Sequence, residues 1–282
     1  MTSALKNELV ERVLDRLGFS SQPEPTLAGL ADLYGAWCQR IPFDNIRKLI
    51  HVRSGNPATL PGDLPNEFFE AWLAHGTGAT CWAGNGALCD LLVSLGFDAR
   101  RAAATMMVAA DIPPNHGSVV VHFDRGERYV VDASMLFVEP LPLRAGARVD
   151  HPAWGVDAHM VDGHFTIRWN ALLRPDPLDC RYNLYDVTAA QFSALHEGTR
   201  AWSPFNFNVN LNLVRGDGRI GAAAGNRVAV DARGQLTRTP ITRESRNAFL
   251  IDVVGISEEI VDLIPEDVEM PPPPGSQSAA VS

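Results

Sequence analysis

The spacing of apolar residues changes character at Gly96, and this restricts the chain to folds that join a helical part to a strand-rich part. Before that point, Leu9, Val10, Val13, Leu14 and Leu17 recur at helical intervals, and Gly18 supplies a stop. Thr26, placed ahead of Leu27, Leu30, Leu33 and Tyr34, predicts an N-capped second helix that ends before Pro42. Residues 54–65 are rich in turn formers, and residues 66–75 predict a short helix. Beyond Gly96, residues 118–123 and 128–131 are β-branched or aromatic runs flanking Asp124-Arg125-Gly126, the pattern of a hairpin. Residues 164–169, 208–215 and 227–230 predict further strands, with a turn at Gly216-Asp217-Gly218, and residues 243–254 predict a helix. From Pro271 onward, four consecutive prolines followed by Gly, Ser, Gln and Ala cannot build a packed core, which predicts a disordered tail.

Charge and cysteine usage narrow the function classes. With 33 acidic against 24 basic residues the formal net charge is −9, which disfavours general attraction to nucleic acid or to an anionic membrane. The first sixteen residues carry three acidic side chains and no long apolar core, unlike a secretory signal. No apolar run approaches the roughly 18 residues of a membrane-spanning helix. Four scattered cysteines, Cys38, Cys81, Cys89 and Cys180, suit a reducing cytoplasm better than a disulfide framework. The histidines at 151, 159, 164 and 196 have no metal-ligand spacing, so no metal is expected. Gly216-Asp217-Gly218 matches no phosphate-cradling pattern.

Chemistry concentrates around Cys81. The small residues Gly76-Thr77-Gly78-Ala79-Thr80 run into Cys81-Trp82 and then into the periodic Leu88, Leu91, Leu92 and Leu95, which places a thiol at the start of a helix. Free amide N–H groups and the positive end of the helix dipole favour the thiolate there. A structural, buried cysteine is the alternative that placement alone leaves open. The hairpin supplies a base and its orienting carboxylate, because His116 stands at the mouth of one strand and Asp132 at the end of its partner. His122, beside the turn, is expected to be a strand residue instead. Trp82, next to the nucleophile, and Phe43, near the active-site loop, are expected to border the substrate.

These segments, in this order, resemble the arylamine N-acetyltransferase family. Leu14-Asp15-Arg16-Leu17-Gly18 and Glu24-Pro25-Thr26-Leu27 are similar to its opening helices, and Ile41-Pro42-Phe43-Asp44-Asn45-Ile46 to its Ile-Pro-Phe-Glu-Asn-Leu signature. Cys81-Trp82 with Asn85-Gly86, then His116, then Tyr129-Val130-Val131-Asp132, resemble its nucleophile, His and Asp segments. Ser203-Pro204-Phe205 and Gly216-Asp217-Gly218-Arg219 look like parts of its third domain. Two segments depart from the pattern. Where the family has Arg-Gly-Gly ahead of the Cys and Glu two residues after it, this chain has Thr77-Gly78-Ala79 and Ala83. The family's Val-Gly-Phe-Gly after the Asp is here Ala133-Ser134-Met135-Leu136.

The resemblance implies an α+β chain with a cysteine-protease-like catalytic core in consecutive parts. These are an N-terminal helical bundle holding Cys81 (1–97), a central β-barrel-like domain holding His116 and Asp132 (98–195), a C-terminal α/β lid (196–264) and the tail (265–282). It also implies ping-pong transfer of an acetyl or acyl group from acetyl-CoA, or another acyl-CoA, through a Cys81 thioester to a small aromatic amine, hydrazine or hydroxylamine, with no permanently bound cofactor. The amides of Cys81 and Trp82 are the expected oxyanion donors. Three other readings use the same residues: an amide synthase of secondary metabolism fed by a carrier-bound acyl chain, a transglutaminase-like thiol hydrolase, and a catalytically inactive binding protein.

Overall fold

The computed structural model describes residues 5–109, 112–172 and 176–274, so part of the expected tail, 275–282, lies outside the described residues. Helix α1 (Asn7–Leu17) ends where Gly18 takes φ 91°, which lets the N–H groups of Gly18 and Phe19 close onto the carbonyls of Asp15 and Leu14. Helix α2 (Leu27–Arg40) starts at Thr26, whose hydroxyl accepts the Gly29 N–H at 3.1 Å. A two-residue strand β1 (Phe43–Asp44) and helices α3 (Ile46–Arg53) and α4 (Pro65–His75) follow. Helix α5 (Cys81–Ser94) is buried on nearly every face, which explains why its first turns are built from Ala83, Gly84, Asn85, Gly86 and Ala87. A Cβ on Gly84 would stand 3.4 Å from that of Ala133, so small residues set how closely α5 approaches the strands.

Strands β2 (Asp98–Met106), β3 (His116–His122), β4 (Arg128–Val131), β5 (Leu141–Pro142), β6 (Arg148–Val149), β7 (Val156–Val161), β8 (His164–Trp169) and β9 (Leu178–Val187) make one antiparallel sheet. Its order is β5-β4-β3-β2-β9-β8-β7-β6, and the outer strands β5 and β6 lie beside each other, giving a nearly closed barrel. The β3–β4 hairpin turns at Asp124–Gly126, where Arg125 and Gly126 adopt φ 62° and 79°. After helix α6 (Ala189–Gly198) a second antiparallel sheet contains β10 (Asn210–Arg215), β11 (Gly218–Ala223), β12 (Asn226–Val230) and β13 (Leu236–Pro240). Strand β1 is its outer neighbour on β10. The chain then forms α7 (Arg243–Ala248), a π-helical continuation over Phe249–Val254, and α8 (Glu258–Asp262). Among the described residues, no helix is long and apolar enough to cross a membrane.

Two sequence expectations shift here. The turn at 216–218 opens an additional strand, β11, ahead of the expected strand at 227–230, which is β12, and the predicted helix over 243–254 changes to π geometry halfway. The cores show how the parts join. Leu14, Leu33, Trp37, Phe69 and Trp72 from the helices share one buried cluster with Val119, Val131 and Ile167 from the barrel. Ile46 and Leu49 of α3 pack instead with Leu211, Leu213 and Leu250, so a helix from early in the chain completes the core under the second sheet.

Candidate active site

Hairpin register brings the base and the carboxylate together. Val119 faces Val131, so one step further along the ladder Asp132 comes opposite Ser118, and His116 lies two residues from Ser118 on the same face. His116 Nε2 donates to Asp132 Oδ2 at 2.8 Å, with both side chains almost wholly buried. The remaining oxygen, Oδ1, accepts the N–H groups of Ser134 and Met135 at 2.9 and 3.0 Å. Those amides, with the imidazole, hold the Asp132 carboxyl below its ordinary range even though burial alone would raise it. Burial opposes charge on His116 as well, but the Asp132 carboxylate and the contact with Cys81 push it up to about 10. His122 pairs with Arg128 at the far end of the hairpin and takes no part.

Cys81 is the first residue of α5, and the first bond of that helix is Gly84 N–H to Thr80 O, so the Cys81, Trp82 and Ala83 amides precede its hydrogen-bonded ladder. Cys81 is 7% exposed, its sulfur lies 3.9 Å from the Asn115 carbonyl, and it stands beside the His116 imidazole. Because Nε2 is committed to Asp132, Nδ1 is the ring atom left to exchange a proton with sulfur. The sequence alone assigns Asn85 no task. Its Nδ2 donates to Gly117 O at 2.6 Å and its Oδ1 accepts the Ala133 N–H at 2.9 Å, which ties α5 to β3 and to the stretch that follows β4. Spacing carried the signal, since Asn85 lies one helical turn beyond Cys81 on the same face.

The Pro-Phe-Asp-Asn segment fixes the stretch ahead of Cys81. Asp44 Oδ2 accepts the Gly78 N–H at 2.6 Å, Asp44 N donates to Ala79 O at 3.2 Å, and Asn45 Nδ2 donates to Phe205 O and Asn208 O. A Cβ on Gly78 would come 1.7 Å from Pro42 O, so only glycine permits that approach. Burial pushes the Asp44 carboxyl up to about 6 against the two amides that favour its charge. Phe43 is half-buried, with its ring edge-on to Phe205 at 5.3 Å. Trp82 is buried edge-on to Phe192 at 4.9 Å and lines a cavity with Phe192, Ser193, His196 and Arg101. Gly117 leaves room for both rings, because a Cβ there would meet Phe192 at 2.5 Å and Trp82 at 2.7 Å. The loop that departs from the family pattern holds Leu136 at φ 54°, a left-handed conformation where that pattern has Gly.

Residues 26–156, which include Cys81, His116 and Asp132, match the family model described as N-acetyltransferase. None of the curated proteins matches the chain. Among solved structures, the arylamine N-acetyltransferase from Mycobacterium abscessus superposes with a TM-score of 0.76 at 18% identity, covering 90% of this chain and 92% of the other. The enzyme from Salmonella typhimurium gives 0.75 at 18%, with 89% and 92% covered. That from Mycobacterium marinum, solved in complex with CoA, gives 0.76 at 19%, with 90% and 94% covered. By sequence over the segment holding the three side chains the chain is similar to the N-acetyltransferase family model, and over about nine-tenths of its length it has the fold of the arylamine N-acetyltransferases.

Proposed function

We propose that the protein is an acyl-CoA-dependent acyltransferase in which Cys81 is the nucleophile, His116 the proton carrier and Asp132 the group that orients the imidazole and favours its cation. The observation that carries this reading is the buried 2.8 Å bond from His116 to Asp132, with the same imidazole against a thiol at a helix start. The Cys81 thiolate attacks the thioester carbonyl of acyl-CoA, and the amides at the start of α5 receive the developing oxyanion, a contribution of about 3 kcal/mol per donor. The bond from carbonyl carbon to CoA sulfur then breaks, CoA leaves with the proton of the His116 imidazolium, and the acyl group remains on Cys81. An amine nitrogen attacks this second thioester, His116 takes its proton, and the Cys81 thiolate departs from the new amide.

Trp82 and Phe43 are assigned as borders of the acceptor site, Trp82 through the cavity it lines and Phe43 through its partly open ring beside the nucleophile segment. The four cysteines are free, which suits action in a reducing cytoplasm. Steady-state kinetics with acetyl-CoA and an aniline test the mechanism. Double-reciprocal plots are expected to be parallel, with CoA released in one equivalent before amine is added, and Cys81→Ala is expected to fold and to abolish both. Intersecting plots with no release before amine would contradict a covalent intermediate.

A further inference from the structure

The stretch 132–138, which follows β4, holds no glycine. Leu136 and Val138 nonetheless take φ 54° and 68°, left-handed values that bulky and β-branched side chains rarely adopt. Such a conformation persists only where the surroundings hold it in place. The group that holds this one comes from 98 residues earlier in the chain.

Tyr34, on α2, is wholly buried, and its hydroxyl donates to the Asp132 carbonyl at 2.9 Å while accepting the Phe137 N–H at 3.2 Å. One oxygen atom thus closes both ends of the turn. The Tyr34 and Phe137 rings also meet edge-on with their centres 5.4 Å apart, which fixes the direction of the phenol. Burial holds that phenol well above its ordinary range, so it stays protonated and keeps its donor role. Inside the closed turn stand the Ser134 and Met135 amides that Asp132 Oδ1 accepts, and the Leu136 N–H returns to the Asp132 carbonyl at 3.2 Å. Residues 133–137 are all buried, so water has little access to stand in for the hydroxyl. A carboxylate free to swing about its side-chain bonds would lose the 2.8 Å bond from His116 Nε2 to Oδ2 for part of the time, and a misaimed group slows a reaction that depends on it.

We propose that Tyr34 is a positioning residue for acyl transfer: its phenol clamps the turn after Asp132, keeps the Ser134 and Met135 amides on Oδ1, and thereby aims Oδ2 at His116. The inference rests on the proposed roles of Asp132 and His116. The hydroxyl has a task that the ring alone does not perform, since phenylalanine would fill the same space and leave the buried Phe137 N–H without this acceptor.

Tyr34→Phe in the full chain removes that one oxygen and provides the test. Its kcat for acetylation of an aniline is expected to fall about tenfold while KM for acetyl-CoA stays within about twofold, because both half-reactions use His116 and slow together. Hydrogen exchange followed by NMR separates lost aim from general loosening. The Ser134 and Met135 amides and the His116 Nε2–H are expected to exchange about tenfold faster or more, with the amides of α1 at wild-type rates. A wild-type kcat would overturn the proposal, as would exchange that rises no more at Ser134 and Met135 than in α1. Tyr34→Met carries the same two comparisons if the Phe variant does not fold. Failure of wild-type Cys81 to accept an acyl group from acetyl-CoA would instead overturn the proposed function, an outcome that the exchange rates do not depend on.

Discussion

Replacing Asp132 by Asn keeps the shape of the site and removes one charge. With no carboxylate opposite Nε2, the imidazole loses what pushes it up to about 10, and burial then favours its neutral form. Acyl transfer by Asp132→Asn is expected to fall about 10³-fold or more, measured as kcat for acetylation of an aniline. The pH dependence of stability carries the matching sign. A His116 raised from 6.5 to about 10 stabilises the fold fully below 6.5, and that contribution is lost as pH rises through 10. Asp132, depressed below 3.8, contributes above that value and loses its share as pH falls through its lowered range. Thermal melts should therefore show wild type exceeding Asp132→Asn around pH 4–6.5 and the gap closing above pH 10. At the same scale, Asn85→Ala strands the Ala133 N–H and the Gly117 carbonyl in a buried site, an expected loss of about 2–4 kcal/mol in denaturant unfolding.

Elements differ in how plainly their sequences announce them. Helices α1 and α2 are legible because Gly18 and Thr26 mark their ends and their apolar residues keep one period. The hairpin that carries His116 and Asp132 is legible because β-branched runs flank a turn, and its register follows from the length of that turn. Strand β11 is not, because Gly218–Ala223 holds one β-branched residue, Ile220, and becomes a strand through pairing with β10 and β12. Strand β9 did carry alternation, with Leu178, Cys180 and Tyr182 buried and the residues between them more open. Helix α6 begins with a capping box from Thr188 to Gln191, a usable start signal, yet its burial of Phe192 against Trp82 is a long-range fact with no local mark. The clamp between β1 and the segment ahead of Cys81 is likewise tertiary. Gly78→Ala is expected to cost about 3 kcal/mol in chemical unfolding, because its methyl group would enter the Pro42 carbonyl and the backbones must part.

At the scale of the whole molecule, the site forms where separate stretches of chain close on one another. Cys81 comes from a helix buried on nearly all sides, His116 and Asp132 from the barrel wall, and the segment ahead of the thiol is held by β1, which belongs to the second sheet. Residue types and their order pointed to Cys81, His116 and Asp132, which the fold brings together. The supports, Asn85 and Asp44, answer to contacts more than thirty residues away in sequence and were not legible as such. In the proposed reaction an acyl group rests on Cys81 between donor and acceptor. Its most direct test is mass measurement of the intact protein after mixing with acetyl-CoA, with peptide mapping, followed by an aniline or by buffer alone. A single acetyl group on Cys81 that the aniline removes much faster than buffer is the predicted result. An unmodified Cys81, or an acetyl group that buffer clears just as fast, would contradict it.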